Sequence, residues 1–277
     1  MTAQRLVAVT GGLGFIGSAV MRELEARGYR AFPIDRAAGG DLLGDDLPAL
    51  LGDCCEVIHL AGVLGTAELF QSVDEAIDTN IKGTVRVLEA CQAKGFAYVG
   101  ITLPEHWDNV YSATKKCARQ LASAWHRHCG VRVSHVRAFN VFGPGQKTTG
   151  VRKIIPTFAE CAWRGQPLPI WGDGTQRVDL VHVDDVARMM ADALRFGANE
   201  LFDAATGQLF TVNEVARMVL EITGSRSPLE YLPMRKGEHA VGEVENTGAG
   251  WDLLPWRPRF DFERLRGTVE SYRPTGR

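Results

Sequence analysis

Two residues near the middle of the chain have the types and spacing for proton transfer. Tyr111 and Lys115 are the first and last residues of Tyr-Ser-Ala-Thr-Lys. Residues four apart lie on one face of a helix, so the phenol and the ammonium group would point into the same cleft. An isolated tyrosine, with a pKa of about 10, is a poor base at neutral pH. A neighbouring positive charge stabilises the phenolate, so the spacing predicts a general base, Tyr111, assisted by Lys115.

A glycine-rich segment near the N-terminus has the pattern of a dinucleotide-binding loop. The sequence TGGLGFIGS at 10–18 contains Gly-x-Gly-x-x-Gly between a strand-like run and a helix-like run. Small residues there let the backbone approach a diphosphate, and the helix N-terminus offers free N–H groups to it. The residues of this loop that we predict to contact the cofactor are Gly11, Gly14, Phe15, Ile16 and Gly17.

The residue that ends the second strand-like run favours NAD over NADP. Asp35 offers a carboxylate that can accept hydrogen bonds from the adenosine ribose hydroxyls. Arg36, which follows it, could instead contact the 2′-phosphate of NADP. We predict NAD as the cofactor, with both residues beside its ribose. The positive charge of an oxidised nicotinamide would also help Lys115 to lower the pKa of Tyr111.

The elements that must position these residues alternate along the first half of the chain. Predicted strands lie at 5–10, 30–35, 56–61, 96–102 and 131–138, and predicted helices at 15–27, 73–94 and 109–128. Strands that alternate with helices in this way indicate an α/β fold, a doubly wound parallel sheet of the Rossmann type. We assign residues 1–142 to this domain, rejoined by about 173–205. Residues 143–172 and 206–277 would form a smaller α/β C-terminal substrate lobe.

Composition excludes several classes of protein. The 277 residues carry 31 Lys and Arg against 33 Asp and Glu, a net charge of −2, which gives no support for nucleic-acid binding. The six cysteines have no metal-ligand spacing, so we expect reduced thiols, no metal and a cytoplasmic location. The N-terminus shows no signal peptide, and no apolar run is long enough for a membrane span.

Further short motifs follow in a fixed order. They are Asp41-Leu42, His59-Leu60-Ala61-Gly62, Asn80-x-x-Gly-Thr84, Arg137-x-x-Asn140-x-x-Gly-Pro144, Trp171-Gly-Asp-Gly174, Val183-Asp-Asp-Val-Ala187 and Arg235-Lys-Gly-Glu238. With the glycine loop and the Tyr/Lys pair, they resemble the extended short-chain dehydrogenase/reductase family, in particular its nucleotide-sugar epimerases and dehydratases. The resemblance covers nearly the whole chain.

The resemblance implies further site residues. The additional cofactor contacts that it implies are Asp41, Leu42, Leu60, Ala61, Gly62 and Asn80, besides Tyr111 and Lys115 themselves. Thr102 best matches the Ser/Thr of the catalytic triad, and Asn140 begins the sugar-nucleotide site. His59 lies in an apolar run, so we expect a hydrogen-bonded core histidine with no catalytic role.

The chain departs from the family at three places. The family usually has an arginine for the nucleotide diphosphate where this chain has Val178, and Arg177 comes one residue earlier. Because side chains alternate along an extended segment, Arg177 would point the other way, so its assignment as a substrate contact is open. Only residues 103–110 separate Thr102 from Tyr111, and the chain is short for the family.

The function implied is NAD-dependent epimerisation of a nucleoside-diphosphate sugar through a transient 4-keto sugar. Tyr111 would take the proton of the C4 hydroxyl, Lys115 would hold the nicotinamide ribose, and Thr102 would bind the same hydroxyl. Related dehydratases and decarboxylases place an acid just after the triad Ser/Thr, and here Glu105 stands close to that position. It is equally compatible with a surface turn. A non-enzymatic dinucleotide-binding regulatory protein is the alternative from another class.

The family resemblance also implies a homodimer. Its members commonly pair their long helix and their Tyr-x-x-x-Lys helix with symmetry mates in a four-helix bundle. Here those helices are the segments at 73–94 and 109–128. We expect Leu88, Leu121 and Trp125 on that face, unless the sheet covers some of them.

Overall fold

The computed structural model describes residues 5–44, 47–54, 56–104, 107–238 and 248–274. In these ranges the strands are β1 (Leu6–Thr10), β2 (Arg30–Ile34), β3 (Glu56–His59), β4 (Ala97–Thr102), β5 (Arg132–Ala138), β6 (Asn140–Phe142), β7 (Leu168–Trp171), β8 (Arg177–His182), β9 (Ala198–Ala204), β10 (Leu209–Thr211) and β11 (Leu229–Leu232). The helices are α1 (Phe15–Ala26), α2 (Leu47–Leu51), α3 (Val73–Ala76), α4 (Gly83–Lys94), α5 (Val110–Cys129), α6 (Ile154–Trp163), α7 (Val183–Ala193), α8 (Val212–Thr223) and α9 (Phe262–Ser271).

A parallel sheet forms the centre of the molecule. Within the described ranges it has six strands in the order β2-β1-β3-β4-β5-β9. The order reverses between β1 and β3, and ligands of such sheets bind outside the carboxyl ends of the strands at that point. The glycine loop follows β1, and the segment 60–62 follows β3. The predicted doubly wound fold is therefore confirmed.

Alternate side chains of each strand pack into cores on opposite faces of the sheet. Val7 and Val9 on β1 lie in one cluster with Leu24 of α1 and Met189 of α7. Ala8 lies in the other, which α2, α4 and α5 cover with apolar side chains that include Leu51, Leu88 and Ala122. A strand that is apolar on both faces is typical of a parallel sheet between two helical layers.

The last strand of the sheet, β9, is held by a buried ion pair. Arg137 on β5 donates to both carboxylate oxygens of Asp203 on β9, at 2.6 and 2.8 Å. Both side chains are buried. A buried charge is stable only when it is paired and hydrogen-bonded, so this pair favours one register between the two strands.

A second lobe packs against the carboxyl ends of the sheet strands. It contains a three-stranded sheet in the order β10-β8-β6, the parallel pair β7 and β11, and the helices α6, α8 and α9. Its core includes Phe142, Phe158, Val215 and Leu265. The strand β8 contributes Leu180 to this core and, by alternation, Val181 to the core of the large sheet. The two lobes therefore share this strand.

The long helix predicted at 73–94 has an irregular middle. Its ends are α3 and α4, and Ile77–Lys82 between them is a π-helix. Single π-helical turns inside α-helices are frequent at functional sites. Leu88 of α4 is fully buried against the sheet, so the prediction that it lies on a dimer face is wrong. No helix in the described part of the chain has the length and hydropathy needed to cross a membrane.

Candidate active site

The glycine loop is packed so closely that three of its glycines, Gly11, Gly12 and Gly17, admit no side chain. A Cβ on Gly11, which has φ +68°, would lie 2.8 Å from the Ala61 amide nitrogen, and one on Gly17 would collide with the Gly11 carbonyl oxygen. These contacts bring the loop after β1 against the segment after β3 and set the start of α1 on the sheet. Gly14, in contrast, is the N-cap of α1 in an extended conformation.

The start of α1 is suited to an anion. No acidic side chain occupies the described first turn of this helix, and Gly14 provides no side-chain cap. The N–H groups of the first turn have no partner within the helix, and the helix dipole makes this end positive. The loop and helix therefore fit the diphosphate of NAD, and the backbone amides of Phe15 and Ile16 belong to this first turn.

Asp35 lies beside this loop, as the sequence predicts. Its carboxylate accepts hydrogen bonds from the backbone N–H of Leu13 at 3.1 Å and of Ala37 at 3.0 Å. These bonds fix a negative charge next to the loop, where a ribose hydroxyl can donate to it. Arg36 turns away to the Thr79 hydroxyl at 3.2 Å, with its guanidinium 3.7 Å from the Asp41 carboxylate. These contacts would compete with a 2′-phosphate for the guanidinium.

Asn80, in the π-helix, connects the cofactor side of the site to the catalytic helix. Its amide oxygen accepts from the Val63 N–H at 2.9 Å, and its Nδ2 donates to the Val63 carbonyl at 3.0 Å. The same Nδ2 lies 3.0 Å from the Thr114 hydroxyl, which donates to the carbonyl of Tyr111 at 2.9 Å. The segment after β3 is thereby tied to the first turn of α5.

His59 is a core histidine, as expected. It is fully enclosed between two hydroxyls, Thr10 Oγ1 at 2.7 Å from Nδ1 and Thr84 Oγ1 at 3.0 Å from Nε2. Burial lowers its pKa to about 3, and the charge of Lys115 contributes to this shift. The ring is neutral at physiological pH and links β1, β3 and α4.

Tyr111 and Lys115 lie in the first two turns of α5. Lys115 is buried, and its Nζ is 4.0 Å from the position that a Cβ on Gly62 would take, so it reaches the cofactor-side segment. Burial lowers the pKa of Lys115 to about 8 and raises the pKa of Tyr111 to about 12. The protein alone thus keeps the phenol protonated at neutral pH, which differs from the lowered pKa that the sequence suggested. The compensating positive charge must come with the cofactor.

The third member of the predicted triad ends the strand before α5. Thr102 is the last residue of β4 and is buried. Glu105 lies outside the described residues, so the structure does not place this predicted acid. Asn109, which the sequence analysis did not single out, caps α5 by accepting from the Ser112 N–H at 2.9 Å. An asparagine just before a predicted helix is the signal that could have identified it.

On the predicted substrate side, the position of the family's arginine is occupied by a buried valine. Arg177 is exposed at the start of β8 and its charge acts on Glu214 of α8, whereas Val178 is buried. Asn140 begins β6, beside Leu180 of β8. Arg235 lies over the Trp171 ring, 4.3 Å from its centroid, and also pairs with Glu238.

Two further cations belong to this region, one beside the tryptophan and one within electrostatic reach of Arg235. Arg152 is 5.7 Å from the Trp171 centroid, and Lys153 precedes α6. Burial lowers the pKa of Lys153, with the charges of Glu68, Arg235 and Glu238 around it. We call Arg152, Lys153 and Arg235 the basic cluster. The sequence analysis missed its first two members, because adjacent basic residues before a helix are ordinary on a protein surface.

Comparison with known proteins agrees with this arrangement. The model of the NAD dependent epimerase/dehydratase family matches residues 7–204. A UDP-glucuronate 4-epimerase of Thermodesulfobacterium geofontis is 29% identical over 77% of this chain and 71% of its own. A UDP-N-acetyl-alpha-D-glucosaminuronate decarboxylase of Bacillus cytotoxicus is 29% identical over 96% of this chain and 97% of its own.

Solved structures show the same likeness. The UDP-glucose 4-epimerase of Thermotoga maritima, solved with UDP-glucose, superimposes with a TM-score of 0.89 at 27% identity, over 97% of this chain and 98% of the other. MoeE5, solved with UDP-glucose and NAD, gives a TM-score of 0.87 at 29% identity, over 96% and 98%. The match of the family model over most of the chain, together with the glycine loop and the Tyr/Lys pair of α5, shows that the chain is an enzyme that belongs to the NAD dependent epimerase/dehydratase family.

Proposed function

We propose that this enzyme epimerises a nucleoside-diphosphate sugar at C4. The observation that carries the proposal is the position of Tyr111 and Lys115 on the first turns of α5, tied through Asn80 to the segment that faces the glycine loop. The relatives that act as UDP-sugar 4-epimerases support it. When bound, NAD supplies reversible hydride acceptance, which turns the C4 hydroxyl into a ketone and back.

The side chains of this protein supply the proton chemistry and the orientation. The Tyr111 phenolate takes the C4 hydroxyl proton and later returns it, and the Thr102 hydroxyl holds the same oxygen by a hydrogen bond. Lys115 holds the nicotinamide ribose. Its ammonium group is charged at neutral pH, since its pKa is about 8, and so adds positive charge to the cofactor side of the site.

The basic cluster supports a diphosphate-bearing substrate. Arg235 and Arg152 bring positive charge to the Trp171 ring, on which a flat base can stack, and Lys153 lies within electrostatic reach of Arg235. In this proposal they replace the arginine that the family has at Val178, and Asn140 lines the same side. Arg177 is a less suitable candidate, because its side chain is exposed beside Glu214.

A panel of nucleotide sugars, analysed by mass and by NMR, tests the proposal. A new stereoisomer of unchanged mass is expected. Loss of water would instead indicate a dehydratase, and loss of carbon dioxide a decarboxylase. Tyr111→Phe should reduce turnover by orders of magnitude while the fold is kept, and near-normal turnover would refute the mechanism.

The second candidate, a dehydratase or decarboxylase, is favoured by the decarboxylase relative that spans nearly the whole chain. The activity of a Glu105 variant distinguishes the two candidate functions. An epimerase moves only one hydride and one hydroxyl proton, so Glu105→Gln should leave it mostly active. If Glu105 is a general acid or base of a dehydratase, the same change should reduce turnover by roughly 10²–10⁴-fold.

We further propose that the enzyme is a cytoplasmic homodimer. Val73 and Ile77 are apolar side chains exposed on the outer side of the long helix, at 39% and 37%. A symmetric pairing with α5 of a second copy would cover them. Leu121 and Trp125 are partly buried, and light scattering at micromolar concentration should give twice the mass of the 30.3 kDa chain. The cytoplasmic location rests on the scattered spacing of the six cysteines, which is typical of reduced thiols.

A further inference from the structure

The side chain of Asn109 makes two hydrogen bonds in opposite directions. Its Oδ1 accepts from the Ser112 N–H at 2.9 Å and thereby caps α5. Its Nδ2 donates to the carbonyl oxygen of Gly237 at 3.1 Å. The residue is buried, so water competes little for either bond. One amide thus joins the helix that carries Tyr111 to a turn more than a hundred residues further along the chain.

That turn, Arg235 to Glu238, is part of the substrate side. Arg235 and Glu238 pair across it, and Arg235 lies over Trp171 at the end of β7. Lys236 lies 4.1 Å from the centroid of the Phe70 ring. The turn therefore contacts the second lobe through Arg235 and the residues around Phe70 through Lys236.

The turn approaches Asn109 so closely that only glycine fits. Gly237 has φ +80°, and a Cβ there would lie 2.9 Å from the Asn109 Cβ and 3.0 Å from Phe70 Cε2. Both the conformation and the space exclude a side chain. A movement of this turn must therefore be transmitted to Asn109, and through its cap to the first turn of α5, where Tyr111 lies two residues away.

We propose that Asn109 is a positioning residue that couples occupation of the basic cluster to the placement of Tyr111. The inference rests on the proposed function, because it takes Arg235 as a contact of the substrate diphosphate. When a diphosphate binds Arg235, it holds the turn in one position. The Gly237 carbonyl then keeps its hydrogen bond to Asn109, which holds the start of α5. Without this bond, substrate still binds through Arg235 and Trp171, but the phenol of Tyr111 is less well held against the sugar hydroxyl.

Two variants separate the cap from the connection to the turn. Asn109→Ser keeps a good N-cap without adding charge, while its shorter side chain gives up the bond to Gly237. Asn109→Ala removes both bonds. We expect the serine variant to keep the KM of the wild type and to lose about 3- to 10-fold in kcat, the effect of one hydrogen bond, with a small loss of thermal stability from the same bond. The alanine variant should lose more stability, because it gives up the cap as well.

Amide hydrogen exchange gives a second readout that does not depend on turnover. UDP and dTDP are added in turn to the NAD-loaded protein, and exchange is followed in residues 111–114. The diphosphate should slow exchange there in the wild type and have a clearly smaller effect in Asn109→Ser, although it binds both proteins equally.

The possible outcomes are distinct. Equal kcat and equal protection in Asn109→Ser and wild type would overturn the coupling while leaving the proposed function intact. Equal losses of stability in the serine and alanine variants, with a parallel fall in kcat, would show that Asn109 acts only as a structural cap and would also overturn the coupling. If neither diphosphate binds the wild type and no nucleotide sugar is turned over, the proposed function fails, and the inference fails with it.

Discussion

Lys115 carries a positive charge into the interior, and its replacement by methionine should stabilise the protein while it abolishes turnover. The side chain is 4% exposed, and burial lowers its pKa from 10.5 to about 8. A shift of this size corresponds to about 3 kcal/mol of unfavourable free energy for the charged form in the folded state. Methionine fills a similar volume without the charge, so Lys115→Met should raise the free energy of unfolding by up to about 3 kcal/mol at pH 7.

The pH dependence of this gain has a definite sign. Because the pKa is lower in the folded state, the unfavourable term is complete below about pH 8 and disappears as the pH rises towards 10.5, where the unfolded chain also loses the proton. The stability difference between variant and wild type should therefore fall to about 2 kcal/mol at pH 9 and below about 1 kcal/mol at pH 10.

Urea unfolding of the nucleotide-free protein, followed by circular dichroism between pH 7 and pH 10, measures this difference. The exposed neighbour on the same helix provides the control, since Lys116→Met should change stability by less than about 0.5 kcal/mol at every pH. A Lys115→Met protein that is less stable than the wild type at pH 7, or whose gain does not vary with pH, would refute the reasoning.

Three further results are expected. Gly14→Val should abolish NAD binding, because its side chain enters the path of the diphosphate, and the protein should stay folded, because a Cβ there lies 3.2 Å from the Gly11 carbonyl oxygen and meets only moderate crowding. Gly17→Ala should abolish NAD binding and also lower the Tm. Titration with NAD and melting curves compare the two variants. Calorimetry should show tighter binding of NAD than of NADP, and the opposite order would contradict the role given to Asp35. Arg137→Met should lower the free energy of unfolding by about 3–5 kcal/mol in urea, since it removes the cation that pairs with the buried Asp203 carboxylate; a loss below about 1 kcal/mol would contradict this.

The sequence was sufficient for the elements with a regular apolar pattern. The helix predicted at 109–128 is Val110–Cys129, and the first strand differs from the prediction by one residue. The irregular middle of the long helix was not predicted, because one extra residue per turn barely changes the apolar period. The strand β9 was missed for another reason. Its polar residues Glu200 and Asp203 find partners on β5, in Ser134 and Arg137, and such pairs are visible only in three dimensions.

The candidate site was also predictable only in part. The glycine loop, Asp35 and the Tyr/Lys pair were predictable, because each needs particular residue types at a fixed spacing on one or two neighbouring elements. Asn109 and Lys153 were not, since their partners lie in distant parts of the sequence. The raised pKa of Tyr111 could not be predicted from the sequence either, because it depends on how deeply the phenol is buried in the folded protein.

The place of β9 has a consequence for how the protein can be made. Its partner β5 ends at Ala138, but β9 spans Ala198–Ala204. It is therefore synthesised only after α6, β7, β8 and α7. Until then the nascent chain exposes the open edge of β5, a template for association with other chains. A fragment that stops near residue 142 would keep this edge permanently and should aggregate. The shortest N-terminal fragment that covers this edge therefore extends through Ala204, even though it carries only part of the second lobe.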